Sequence, residues 1–281
     1  IRDKLVTGVQ TCALPISITS LLVIGIFLIS AFAVLGSNPT VDTISARVKP
    51  DGVGKPPKPD DPVDPPVDSP VIGDGVVKKW ALVIGISDYA SDANDLTYCD
   101  DDAQDWKNYL QGEGYQVNLI LDRQATADNI LAGFDWLAAN EDGDDMVAIT
   151  YSGHGYYYKS IRESCLVSSD EWLIAASTIG SITDTFESQS VFMFLDCCNA
   201  GTFSGIVGSG WVAGIGSTKT SYTYDGTSDM ENGIYTYFAM EAIAAGYFTA
   251  EDICAFAEVN FDAATPGNAA TIDNFAGDMD L

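Results

Sequence analysis

The stretch Met146-Val147-Ala148-Ile149-Thr150-Tyr151-Ser152-Gly153-His154-Gly155 joins an apolar run to a reactive end. Residues 146–151 are almost wholly apolar and do not alternate, the pattern of a strand covered on both faces inside a parallel sheet. The run ends at the single histidine of the chain, held between two glycines that let backbone and ligand approach closely. In parallel sheets reactive groups collect at the carboxyl ends of strands. A lone imidazole is commonly a satisfied structural group, but the glycines and the strand-end position favour a chemical role here.

Working outward, Trp80–Ile86, Tyr115–Leu121, Val191–Leu195 and Trp211–Ser217 read as further strands. A helix is expected from about Asp100, with Ala103, Trp106 and Leu110 on one stripe and acids in its first turn. Thr126 is placed to cap a second helix whose Ile130, Phe134, Leu137 and Ala138 share a face. Thr178–Phe186, Ile234–Ala245 and Ala250–Ala263 complete the helices. Strand–helix alternation of this kind predicts an α/β fold, a mostly parallel central sheet with helices on both faces.

Val191–Leu195 runs into Asp196-Cys197-Cys198-Asn199-Ala200-Gly201. Cysteines just beyond a buried strand are placed to react, and a thiol becomes a useful nucleophile when an imidazole can take its proton. Were the two strands neighbours, His154 and one of these cysteines would face across a cleft, with nearby N–H groups able to bind an oxyanion. Periodicity does not separate Cys197 from Cys198. The pair could instead form a strained disulfide or ligate zinc with His154 and Cys99, although the spacing matches no structural zinc pattern. After the first strand, Asp88 and Cys99–Asp102 gather.

The 281 residues carry a formal charge of −27, with 47% apolar and 11% aromatic residues, enough for a sizeable core. Residues 1–79 are balanced, so the whole excess falls on 80–281, which hold 5 basic and 32 acidic side chains. So acidic a domain repels phosphate backbones, and nucleic acid is not an expected partner.

Residues 1–16 resemble translated adapter sequence and are set aside, with Cys12. Segment 17–36 is uncharged and long enough for a signal peptide or a transmembrane helix, with Ala31-Phe32-Ala33 as a small-x-small cleavage site. An extracytoplasmic protein follows, secreted or held at the membrane by that segment. Residues 37–78 are rich in Pro and Asp, as expected of a disordered linker. The remaining five cysteines, Cys99, Cys165, Cys197, Cys198 and Cys254, are an odd number, so at least one thiol stays free in an oxidising compartment.

Taken in order, Lys79–Ile86, Cys99-x-x-Asp102-Ala103, Tyr151–Gly155, Phe194–Gly201 and Gly233–Phe238 resemble the caspase-type cysteine peptidases, the prokaryotic metacaspase-like branch above all. The resemblance spans 79–281 and implies the caspase-like three-layer sandwich. It further implies a peptidase with a Cys/His dyad. The family pattern Asp-x-Cys-x-small-Gly selects Cys198 as nucleophile and His154 as general acid/base, with Gly155 and Cys198 as oxyanion N–H donors. The metacaspase pocket for Arg or Lys maps onto Cys99, Asp102, Ser152 and Asp196. Two carboxylates suit a guanidinium; caspases proper use arginines to bind Asp, and this domain has only Arg123 and Arg162. Expected partners are peptides or proteins with Arg or Lys at the cleavage site. No metal or other cofactor is expected. The loop Tyr156–Asp170 lacks the long acidic calcium-binding segment of many metacaspases, leaving Asp170 and Glu171 as the nearby calcium candidates. Where the family often has His after the nucleophile, this chain has Asn199. Family members are often cut in the regions matching Gly201–Gly210 and Lys219–Asn232, and Lys219 fits a basic-specific self-processing site. Alternatives are a legumain-like peptidase preferring Asn or Asp, and a catalytically idle caspase-fold module on a stalk.

Overall fold

The computed structural model describes residues 73–281; the expectations for 1–16, for the apolar segment 17–36 and for most of the linker 37–78 lie outside them. Six strands form the main sheet in the order β2-β1-β3-β7-β8-β9. They are β1 (Lys79–Gly85), β2 (Gln116–Leu121), β3 (Met146–Ser152), β7 (Ser190–Asp196), β8 (Trp211–Ile215) and β9 (Ala270–Asp273). All neighbours are parallel except β8 and β9.

Successive side chains of a strand point to opposite faces, and β1 divides the core accordingly. Leu82 and Ile84 join the apolar cluster under α2 (Ala127–Asn140) and α3 (Ala176–Thr183). Ala81 and Val83 face the cluster built with α1 (Cys99–Gly112), α4 (Ile234–Ala244) and α5 (Ala250–Ala264). The sheet is thus a middle layer, and continuous apolar strands are what burial on both faces requires. The expected stripe of α1 is buried: Ala103 beside β1, and Trp106 at 5.5 and 5.0 Å from the rings of Phe192 and Phe194 on β7. Thr126 caps α2 by accepting from the Asn129 amide at 3.3 Å.

One expectation is revised. Tyr156–Asp170 is not a plain loop. It contributes β4 (Gly155–Tyr158) and β5 (Glu163–Val167), which with β6 (Leu173–Ala175) make a small antiparallel sheet. The run Tyr156-Tyr157-Tyr158 is strand-forming, and Cys165, Leu166 and Val167 are buried in the cluster under α2 and α3. No helix among the described residues is long and apolar enough to cross a membrane.

Candidate active site

Strands β3 and β7 are direct parallel neighbours, with Ser152 opposite Asp196. The segments that leave them, Gly153-His154-Gly155 and Cys197-Cys198-Asn199, therefore start side by side. The Gly153 amide donates to the Asp196 carbonyl at 3.3 Å. A β-carbon at Gly155 would collide with the Cys198 carbonyl oxygen, so only glycine lets the two segments close to this degree.

His154 is 3% exposed and held from several sides. Its amide donates to the Tyr89 hydroxyl at 2.7 Å, and its carbonyl accepts from the Tyr151 hydroxyl at 2.8 Å. The Tyr89 ring lies 4.7 Å from the imidazole. A β-carbon at the intervening Gly153 would press on both tyrosine hydroxyls, at 2.8 and 2.9 Å. Nε2 lies 2.7 Å from the Asn94 carbonyl. A carbonyl only accepts, so Nε2 carries a proton and donates it to Asn94. Asn94 ends a 3-10 turn, Asp92–Asn94. Glu171 clamps that turn through one carboxylate oxygen, which accepts from the Ser91 amide at 3.1 Å and the Asn94 side chain at 2.9 Å.

All five described cysteines are free thiols and buried, so the vicinal pair is not a disulfide. Burial pushes the Cys197 thiol well up, with the neighbouring Cys198 and Asp196 adding to the effect. Cys198 has no solvent exposure and donates to the Thr223 carbonyl at 3.6 Å. The next residue, Asn199, takes the left-handed conformation at φ 56°, a turn that Asn tolerates. From there its side chain donates to the carbonyls of Lys219 and Ser221 at 3.2 and 3.3 Å. The strap from Ser217 to Asn232 is thereby tied across the sulfur.

Cys99, Asp102, Ser152 and Asp196 are all buried and lie near one another. Asp102 accepts from Ser152 Oγ at 2.5 Å and from the Gly233 amide at 2.9 Å. Asp196 accepts from the amide and the hydroxyl of Thr236 at 2.9 and 3.0 Å. The two carboxylates converge on Gly233, where a β-carbon would lie 2.8 Å from one and 2.7 Å from the other. Burial and then the charge of Asp196 hold the Asp102 carboxyl well above its ordinary range. Burial lifts Asp196 to about 6 against the hydrogen bonds from Thr236, which pull it down. Burial raises the Cys99 thiol too, with the charges of Asp225 and Asp102 adding to it. The ion pairs among the described residues lie elsewhere: Lys78 with Asp74, and exposed Arg123 with Asp88 and Asp92. A buried carboxylate pair without a cation is costly.

The calcium candidates are already engaged. Asp170 accepts from the Ala127 amide and Ser168 Oγ, and Glu171 holds the Asn94 turn. Three other carboxylates, Asp74, Asp142 and Asp144, have oxygens within 4.8 Å of one another. They lie at the amino end of β3, roughly 20 Å along the strand from His154.

Residues that sequence reasoning missed are Tyr89, Asn94, Thr223 and Asp225, and Glu171 was read as a calcium candidate and not as the clamp on Asn94. Each acts on a residue far away in the chain, so local pattern carries no trace of it.

A mostly parallel sheet that delivers an imidazole and a thiol from neighbouring strand ends is the layout of a caspase-type domain. Residues 78–261 match the family model described as the caspase domain, peptidase C14, and the chain belongs to that family of cysteine peptidases. A stretch of 94 residues is 32% identical to Metacaspase-1 of Debaryomyces hansenii, covering 30% of this chain and 21% of that protein. The chain thus matches about a fifth of that relative's length. The crystal structure of a Geobacter sulfurreducens protein is similar with a TM-score of 0.53 and 14% identity, over 69% of this chain and 92% of the other. At that identity the likeness speaks for the fold.

Proposed function

We propose that the protein is an endopeptidase cutting after Arg or Lys, with Cys198 as nucleophile and His154 as general acid/base. The observation that carries the specificity is the buried pair Asp102 and Asp196, converging on Gly233 with no basic side chain bonded to either among the described residues. The charge of a substrate guanidinium or ammonium would offset what burial costs those carboxylates.

In this reading the Asn94 carbonyl holds Nε2–H, so that Nδ1 receives the Cys198 proton. The thiolate attacks the scissile carbonyl carbon, and the oxyanion of the tetrahedral intermediate is held by the N–H groups of Gly155 and Cys198. His154 returns the proton to the leaving amine, giving a thioester. It then takes a proton from water, whose oxygen attacks the thioester carbon; the C–S bond breaks, the carboxylate product leaves, and His154 returns the proton to the Cys198 thiolate. Because the Thr223 carbonyl covers the sulfur, the scissile carbonyl must first displace that group from Cys198. An extracytoplasmic location, secreted or anchored, completes the proposal and rests on the uncharged run Ser17–Leu35.

The test is the purified protein against fluorogenic peptides ending in Arg, Lys, Asp or Asn. Cleavage of the Arg and Lys peptides, lost in Cys198→Ala and kept in Cys197→Ala, is expected. Turnover that survives Cys198→Ala overturns the choice of nucleophile, and preference for Asn transfers the protein to the legumain-like reading. The sealed sulfur favours a second reading, an idle module. Failure of an Arg-chloromethylketone to label Cys198 would decide for it.

A further inference from the structure

The strap that covers Cys198 also brings a third acid to the pocket. Asp225 pairs with Gly233 in an antiparallel bridge, and Gly233 is the residue on which Asp102 and Asp196 converge. The next amide along, Ile234, donates to Tyr224 at 2.9 Å, so the bridge is fixed on both sides. Asp225 is 3% exposed. Its Oδ2 accepts from the Thr97 amide at 2.8 Å, just ahead of the helix that carries Cys99 and Asp102. Its Oδ1 is buried and has no hydrogen-bond partner. A buried carboxylate oxygen left in that condition costs free energy unless a ligand takes it up. Both oxygens of Asp102, and Oδ2 of Asp196, are already occupied by Ser152, Gly233 and Thr236. Asp225 Oδ1 is thus left without a well-formed hydrogen bond, although the Thr97 side chain and the Tyr98 backbone lie near enough to favour the charged carboxylate against its burial.

We propose that Asp225 is a third carboxylate of the basic-residue pocket and makes it prefer Arg to Lys. The inference rests on the Arg/Lys reading above and refines it. A guanidinium presents five N–H donors across a plane, whereas an ammonium is a compact point charge that two carboxylates already satisfy. Acceptors arriving from two sides, the helix and strand ends on one and the strap on the other, match the wider group. The charge of Asp225 already acts on both Cys99 and Asp196, raising each, which agrees with its placement beside them. A bound guanidinium would bridge strap and sheet.

The test compares Arg- and Lys-ended peptides on the full chain and on Asp225→Asn, with benzamidine as a non-reacting probe of the pocket, titrated calorimetrically into Cys198→Ala and Cys198→Ala/Asp225→Asn. Asparagine keeps an acceptor for the Thr97 amide, so the strap retains its anchor. Expected is a fall of about ten- to a hundredfold in kcat/KM for the Arg peptide, the worth of one charge-assisted hydrogen bond, with the Lys peptide far less affected and benzamidine binding weakened in parallel. An equal fall for both peptides with benzamidine affinity intact would mean that Asp225 only holds the strap, and the inference is overturned. An unchanged Arg-to-Lys ratio overturns it as well. If the parent protein cleaves neither peptide and Cys198→Ala does not bind benzamidine, the Arg/Lys reading itself has failed and takes the inference with it. Loss of benzamidine binding in Asp102→Asn but not in Asp225→Asn leaves the reading standing and removes only Asp225.

Discussion

Replacing Asp196 by Asn tests whether the pocket stores unfavourable charge. The carboxyl is buried and titrates at about 6, against 3.8 for an ordinary aspartate. The folded state therefore holds this proton more tightly than the unfolded chain does. Folding takes up protons between about pH 4 and 6, and stability falls as pH rises through that window. A displacement of about 2 units corresponds to roughly 3 kcal/mol, fully felt above pH 6 and absent below pH 4. Asparagine keeps an oxygen to accept from the Thr236 amide and hydroxyl but carries no charge. Urea unfolding of Cys198→Ala and Cys198→Ala/Asp196→Asn, a background that prevents self-digestion, should give equal stability near pH 4. At pH 8 the Asn protein should be more stable by up to about 3 kcal/mol. In the parent background the same change should abolish most Arg-peptide turnover. A gain independent of pH, or an Asn protein less stable at pH 8, would refute the picture of an uncompensated buried charge.

Two further outcomes follow from the geometry around His154. Glu171→Ala releases the Ser91 amide and the Asn94 side chain, so kcat should fall by about ten- to a hundredfold with KM little changed, the signature of a misdirected catalytic group; steady-state kinetics check it, and Glu171→Gln should restore much of the loss. Gly155→Ala drives a methyl group into the Cys198 carbonyl, and thermal melts should place it below the parent protein, with peptide turnover reduced further than the fraction folded explains.

The parallel strands and the helical faces were legible because burial on one or both sides writes itself locally, as apolar runs at Trp80–Ile86 and as spacing at Ala103, Trp106 and Leu110. The antiparallel pieces were not. β4 to β6 are short strands whose pairing depends on a turn, and β9 has four residues of mixed character, exposed at both ends and half-buried between. His154 and the cysteine pair could be located as strand ends because topology sends strand ends to one edge. The tautomer of His154 could not, since it depends on the Asn94 carbonyl and on Glu171, which lies 80 positions from Ser91. Asp225 is 128 positions from Thr97, and nothing near it in the chain marks it as anything but a polar loop residue.

β9 bears on how two copies of this protein could meet. It lies antiparallel along β8, and its Thr271 amide is taken by the Glu258 carboxylate at 2.7 Å. A sheet normally invites a neighbour through rows of unpaired N–H and C=O groups. Here that invitation is withdrawn twice, by a strand laid over β8 and by an acid that blunts the new rim. Fusion of two such sheets into one continuous ribbon across β8 is thereby blocked, which leaves β2, at the far end of the main sheet, as its uncovered edge among the described residues.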